Sequence, residues 1–442
     1  MSSEFNFFQH WYPIIPLIDL DVKKPTPAMV LGMRLVIWKP KHSEKFSVFL
    51  DKCPHRLAPL TEGRIDEETG NLMCSYHGWQ FDDQGICTQI PQADNPEILS
   101  KNQENFCVQG FPTRQEQELL WVWLDLNSPE LAAATPLPLS PLDESHGFMR
   151  KSLVRDLAYD WQTLIENVID PSHVPFAHHG IQGDRRQAKP LPIQVSKSTA
   201  NLIQGTISRY LQTTITFEPP CRLEYAITIG DTGKISGLAV YCLPVAPGKS
   251  RIVAQFPQNF GHNLYRFTPR WWDHLFNRNL VLDGDMVLLH QQEYFLQKQA
   301  TESSWKTAYK LPTSADRLVI EFRKWFDRYC DGKLPWEAVG IDAATPLKIN
   351  ENRRELLDRY TQHTQHCSSC RGALQAVQRL QIVLLTYFIL TVAGVAILPD
   401  SLRLNWGLPL MAIALVALGT YTWLKFWLTP KFYFVDYIHS AR

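Results

Sequence analysis

Apolar positions along the 442 residues fall into three rhythms. From about residue 8 to 126 they come in short, turn-punctuated groups, and Ala28–Trp38, Phe46–Leu50, Gln80–Phe81 and Leu119–Leu126 predict strands. The stretch 127–147 carries the Pro and Ser of a linker. From Phe148 onward, alternating segments over 200–210, 213–217, 223–229 and 235–242 predict an antiparallel sheet with one buried face. The third rhythm is continuous. Leu380 to Leu398 reads LQIVLLTYFILTVAGVAIL, and a second apolar run extends from Gly407 to about Leu424. Each run is near the length of a bilayer-crossing helix, and the competing reading is a buried helical hairpin. The pattern gives an α+β protein: an all-β domain over 8–126, a second, sheet-based domain over 148–350, a short segment over 351–372, and two membrane helices over 380–398 and 407–424.

Charge refines this picture in two places. Arg371, Arg379, Lys425 and Lys431 flank the outer ends of the apolar pair, whereas the connection holds only Arg403 beside Asp400. Positive residues stay inside, so the expected topology keeps both outer ends and the folded body on the cytoplasmic, or stromal, side. Over the whole chain 44 Lys and Arg balance 44 Asp and Glu, which excludes a global basic field for nucleic acid. Nine cysteines, and a start (MSSEFNFFQHWY) lacking both basic and apolar signal regions, argue against a secreted disulfide scaffold. Trp271 and Trp272 are read as core tryptophans rather than pocket lining.

Candidate chemistry concentrates in two motifs. Cys53-Pro-His55 and Cys74-Ser-Tyr-His77 stand eighteen residues apart, followed by Gly78-Trp79. This is the spacing of a Rieske [2Fe–2S] site, in which two thiolates hold one iron and two imidazoles the other. Further on, 166–180 contains Asn167, Asp170, His173 and His178. Two imidazoles plus one carboxylate from elsewhere make the facial triad of a non-haem Fe(II) site. The apolar helical stretch 279–293 offers Asp283 and Asp285 for that carboxylate.

With these motifs the chain resembles the Rieske non-haem iron oxygenases, whose pattern includes D-x-x-H-x-x-x-x-H after the cluster domain. The resemblance implies a helix-grip-like catalytic domain and iron ligands at His173 and His178, preferred over His179. It also selects Asp285 as the third ligand, leaving Asp283 as a helix N-terminal residue. Asp170 would then bridge the two metal sites for electron transfer across a subunit boundary of a homotrimer, with Asn167 a further match.

A C-x-x-C pair, Cys367 and Cys370, precedes the first apolar run. Together with the two apolar runs that follow, it makes the chain similar to the pheophorbide a oxygenase branch. The branch implies a ferredoxin-type electron donor, a chlorophyll-related tetrapyrrole substrate, O₂ as co-substrate and a cyanobacterial or chloroplast membrane. The rival functional class is a thiol-regulated redox sensor or electron carrier. Cys367 and Cys370 are read first as a dithiol under thioredoxin control. A Cys₂His₂ metal site with His363 and His366 competes with that reading, and so does a pair of inert thiols.

Overall fold

The computed structural model describes residues 5–441 except 96, 98, 100–102, 209–210, 301–304 and 343–348. The end of the strand expected over 200–210 lies outside the described residues. The chain forms two compact units, Met1–Tyr265 with Leu288–Ile349 and Arg266–Val287 with Asn350–Arg442. One continuous helix, Asn279–Ala300, runs through the boundary and is shared by both.

The first unit opens with three antiparallel sheets. One joins Trp11–Pro16, Leu119–Trp123 and Thr113–Glu116. Every residue of Trp11–Pro16 and Leu119–Trp123 is buried, so their apolar runs are continuous rather than alternating. The second joins Thr26–Val30, Met33–Trp38, Ser47–Leu50 and Gly110–Phe111. Here the single strand expected over 28–38 is corrected to a hairpin. Leu31 and Gly32 both have positive φ (49° and 76°), and Val30 pairs with Met33. A two-residue turn of that handedness follows strand twist but rarely uses Leu, which hid it in the sequence. The Leu31 and Gly32 N–H groups donate to Pro244 O and Val245 O at 2.7 and 2.8 Å, holding the turn. The third sheet, Arg64–Ile65, Leu72–Met73, Gln80–Phe81 and Cys87–Gln89, consists of very short strands between the two motif loops.

The remainder of the unit is built on a seven-stranded antiparallel sheet in the order Ser152–Leu157, Lys249–Gln255, Lys234–Ala246, Arg222–Ile229, Gln212–Glu218, Ile203–Ser208, Gln194–Ser198. The four strands read from alternation are all present. Alternation could not reveal Ser152–Leu157 or Lys249–Gln255, which are buried at nearly every position, nor the polar edge strand Gln194–Ser198. Helix Trp161–Ile169 packs on Lys234–Ala246, burying Trp161, Leu164, Ile165 and Ile169. The Trp161 indole N–H donates to Cys242 O at 3.1 Å. Each large side chain buried in this way contributes about 1.5–3 kcal/mol. Helix Arg317–Cys330 buries Leu318, Phe322, Trp325 and Phe326 against the other end of the sheet. Gly205 permits this approach, because a Cβ there would lie 3.0 Å from the Leu318 side chain.

The second unit contains helix Ser368–Ala396, whose most apolar stretch has none of its residues buried, and helix Leu408–Trp423, which packs against it. Helix Ser368–Ala396 and the helical stretch Asp400–Phe432 that contains the second helix are long and apolar enough to cross a bilayer, and Ile382, Leu390 and Val416 are each about two-thirds exposed (67%, 66%, 69%).

Candidate iron–sulfur and mononuclear iron sites

The first motif sits on two tight loops. Cys53 N–H donates to Ala58 O at 2.8 Å and Leu57 N–H returns to Cys53 O at 2.9 Å. In the second loop Cys74 N–H donates to Trp79 O at 2.9 Å and Gly78 N–H to Cys74 O at 3.0 Å. Gly78 is at φ +72° with Pro91 against it, a position that disfavours any side chain. Cys53 and Cys74 are buried in an apolar cluster with Val36, Trp38, Leu60, Leu72 and Phe81. Their sulfurs are close enough that the Cys53 thiol hydrogen-bonds Cys74, which with the Tyr76 and His77 N–H groups lowers the Cys74 pKa. His55 and His77 are half-buried, with ring centroids 4.5 Å apart. The His55 ring also stacks on Trp79 at 4.6 Å. Both histidines keep a buried Nδ1 that meets no hydrogen-bond partner among the described residues. A pair of thiols deep in the fold and a pair of imidazoles nearer the surface is the donor set that a [2Fe–2S] cluster of this type requires.

The second motif begins on helix Trp161–Ile169. Burial of Glu166 on that helix is compensated by Arg323, which donates to its carboxylate, and by the Tyr309 hydroxyl at 3.1 Å. Arg323 also donates to Gln162 Oε1 at 2.8 Å, so the helix is held to Arg317–Cys330 by charge as well as packing. Asp170 ends the helix and caps the next turn, accepting from Ser172 N–H at 2.7 Å. The chain then turns through Pro171–His173 and Val174–Ala177, which brings the His173 and His178 rings to 5.1 Å. Asn167 and Asp170 are half-buried on the same turn. His179 faces elsewhere: its Nδ1 lies 3.5 Å from Asp184 and accepts from Arg185 N–H at 3.2 Å.

The two aspartates of the long helix have separate surroundings. His173 and His178 belong to the first unit, and Asp285 is buried on helix Asn279–Ala300. Two imidazoles and a carboxylate fit a divalent iron that keeps open positions. Asp283 is instead fully buried in an ion pair with Arg359. It stands inside helix Asn279–Ala300, behind a π-helical turn over His274–Arg278, which corrects its expected place at a helix N-terminus. The π-turn continues the helix upstream, so no free N–H groups remain for a capping carboxylate.

Cys367 and Cys370 are buried at the start of helix Ser368–Ala396 and are not joined in a disulfide. Trp271 packs in the apolar cluster around them, but Trp272 is 43% exposed and is not the core residue expected.

Comparison with known proteins agrees with this geometry. The Rieske [2Fe–2S] domain profile matches residues 10–112, and the pheophorbide a oxygenase profile matches 217–303. The chain is 39% identical to the chloroplastic pheophorbide a oxygenase of Oryza sativa, over 99% of this chain and 86% of the relative. It is 31% identical to protochlorophyllide-dependent translocon component 52 of Arabidopsis thaliana, over 100% of this chain and 86% of the relative. Flavonoid 8-hydroxylase 2 of Ocimum basilicum is also 31% identical, over 99% and 87%. Among solved structures, dicamba monooxygenase with bound 3,6-dichlorosalicylic acid superposes at a TM-score of 0.59, covering 73% of this chain and 98% of that one at 19% identity. That likeness shows the fold. The class is therefore the Rieske-type non-haem iron oxygenases, carrying a [2Fe–2S] cluster and a mononuclear iron. Within it, the chain belongs to the pheophorbide a oxygenase family.

Proposed function

We propose that this oxygenase acts on a chlorophyll-related tetrapyrrole, with electrons from a ferredoxin-type donor, while anchored in a membrane by its two C-terminal helices. The observation that carries the reading is the presence of both donor types on one chain: the Cys53/Cys74 and His55/His77 pairs, and the His173/His178 pair with ring centroids 5.1 Å apart. Similarity to a named pheophorbide a oxygenase over 99% of this chain points to the substrate class.

In this reading Cys53 and Cys74 hold one iron of the cluster and His55 and His77 the other, while His173, His178 and Asp285 hold the mononuclear iron. When bound, the cluster supplies electrons one at a time and the mononuclear iron supplies O₂ activation. The chain's own part is to fix the donors. The Glu166–Arg323 pair and the Asp170 cap set the helix end from which His173 and His178 project. Asp170 serves as the hydrogen-bonded link for electron transfer between sites, with Asn167 beside it, in a homotrimer whose neighbouring subunit supplies the cluster. The flanking cations Arg371, Arg379, Lys425 and Lys431 keep both helix ends, and the catalytic body, on the cytoplasmic or stromal side.

The test is anaerobic incubation of the reduced protein with a panel of tetrapyrroles, followed by ¹⁸O₂ and mass spectrometry. A flavone belongs in the panel because one relative is named for flavonoid hydroxylation. Label in a tetrapyrrole, lost in His173→Ala, supports the reading. Label only in the flavone moves the substrate class. No label in any compound, with cluster and iron intact, moves the function toward redox sensing or electron transfer.

A further inference from the structure

Four metal-ligating side chains meet at a second place, inside the unit that carries the apolar helices. His274, His363, Cys367 and Cys370 each offer one ligand atom, all within 4.8 Å of one another. They are 0–1% exposed. Their spacings are specific: Cys367 Sγ and Cys370 Sγ lie 3.5 and 3.6 Å from His274 Nδ1, and His363 Nε2 lies 3.3 Å from Cys370 Sγ. A tetrahedral Zn²⁺ with sulfurs at about 2.3 Å and nitrogens at about 2.0–2.1 Å has S···N edges of about 3.6 Å. These three edges, 3.3–3.6 Å, thus match a single ion at the centre.

We propose that His274, His363, Cys367 and Cys370 bind one structural Zn²⁺ in a closed tetrahedral site. Each thiol gives up one proton on binding, and each imidazole binds neutral. Two thiolates and Zn²⁺ then sum to zero charge. A neutral centre suits the surrounding shell of Leu275, Leu374, Leu424, Leu428 and Phe432, where an uncompensated charge would be costly. Four protein donors leave no open position, which marks the site as structural rather than catalytic. The buried His274 Nε2 meets no hydrogen-bond partner among the described residues, which leaves Nδ1 as the ring atom facing the two sulfurs.

The sequence pairs His366 with this motif by spacing, but the structure puts His274 in its place, 93 residues before Cys367. His366 Nε2 instead lies 3.1 Å from the Gln365 side-chain amide nitrogen. Dithiol exchange with a partner protein requires a thiolate to reach one sulfur, and both sulfurs are fully enclosed. The ion would instead tie the π-turn His274–Arg278 to the root of helix Ser368–Ala396. That π-turn leads directly into the helix bearing Asp285, so the site braces the segment that presents this carboxylate.

The experiment is metal analysis of the full chain, purified in detergent without chelator from zinc-replete cells, with X-ray absorption at the zinc edge. The expected result is about one zinc per chain with two sulfur and two nitrogen neighbours. Zinc content should fall roughly tenfold or more in Cys367→Ser/Cys370→Ser and in His274→Ala. His274→Cys, which keeps four donors, should retain it. Helix content by circular dichroism and monodisperse elution in detergent identify any variant that has merely failed to fold. The proposal is overturned if the wild type holds less than about one-tenth zinc per chain. It is equally overturned if zinc survives loss of both cysteines, if the absorption edge shows no sulfur, or if iron fills the site, or if intact-mass analysis finds Cys367 and Cys370 joined as a disulfide.

Discussion

Arg359 reaches Asp283 across 76 residues of chain, its Nε and Nη2 donating to one carboxylate oxygen at 2.8 and 2.5 Å, with both side chains fully buried. Arg359 Nη1 also donates to Leu275 O and Lys431 O at 3.3 and 3.0 Å, so one guanidinium joins three segments of its unit. This commitment of Asp283 to an ion pair sets it apart from Asp285, which lies two residues on in the same helix. Removing one member of a fully buried pair strands the other charge and typically costs about 3–5 kcal/mol. Arg359→Met should therefore lower stability by that order. Asp283→Leu in the Arg359→Met background should recover part of the loss. Thermal melting of the wild type, both single variants and the double variant checks this, and additive losses would show that the pair is not coupled.

If Asp285 is the third iron ligand, its loss should separate the two metal sites. Asp285→Ala is expected to reduce iron from about three per chain to about two, leaving the cluster's spectrum intact. Asp283→Asn should keep more mononuclear iron than Asp285→Ala even though it destabilises the fold. Iron analysis alongside the cluster's resonance signal decides between the two aspartates.

These two aspartates also show where the sequence was legible. Both lie in the same apolar helical run, and spacing alone left either available; the difference comes from Arg359, far along the chain. His173 and His178 were legible because one short segment carries both, as were the Cys–His pairs, whose donors are local to two loops. His274 was not, since its partners begin 89 residues away at His363 and no local pattern marks it. Among the strands, those with one wet face were readable from alternation. The hairpin at Leu31–Gly32 and the interior strand Lys249–Gln255 were hidden by an unusual turn residue and by burial on both faces.

The cluster's potential should depend on its imidazoles. Replacing one of them by a thiolate adds negative charge and moves the site toward an all-cysteine cluster. His55→Cys is expected to lower the midpoint potential by on the order of 100 mV or more, given the separation between Rieske and plant-type ferredoxin clusters. Trp79→Ala removes only the ring stacked on His55 and should shift it far less. Redox titration followed by paramagnetic resonance compares them. A shift for Trp79→Ala as large as for His55→Cys would mean that packing, not ligand charge, dominates the potential.

Asp170→Ala addresses the path between the sites. Its carboxylate caps the turn leading to His173, accepting from Ser172 N–H at 2.7 Å. If it also links the two metals, its loss should slow single-turnover product formation roughly 10–100-fold while both metals remain bound. Asp170→Asn keeps an oxygen for the cap but loses the charge. Slowing in both variants, with unchanged iron content, supports the link. A parent rate in Asp170→Ala removes it.

Stability should also carry a pH signature from two buried carboxylates. Glu293 accepts from the Asp160 backbone N–H at 2.7 Å, and its other oxygen finds no hydrogen-bond partner among the described residues. Burial first, and then the Asp160 charge, raise the Glu293 pKa to about 8; burial raises that of Asp160 to about 6. Arg323 opposes both shifts but is engaged by Glu166. His290, on the same helix as Glu293, is occupied with Ala158 O at 2.6 Å. Since both folded-state values exceed the ordinary carboxyl range, the folded protein retains protons that the unfolded chain releases. The associated stability is fully present below about pH 4 and is lost progressively as the pH rises through about 6 and then about 8. The expected drop is on the order of a few kcal/mol. Glu293→Gln remains neutral at every pH, so it should flatten the upper part of this decline and melt higher than the wild type at pH 8.5. Melting curves of the two proteins at intervals from pH 5 to 9 give the comparison. A wild-type melting temperature that climbs over that range, or a Glu293→Gln profile parallel to it, would remove Glu293 as the origin.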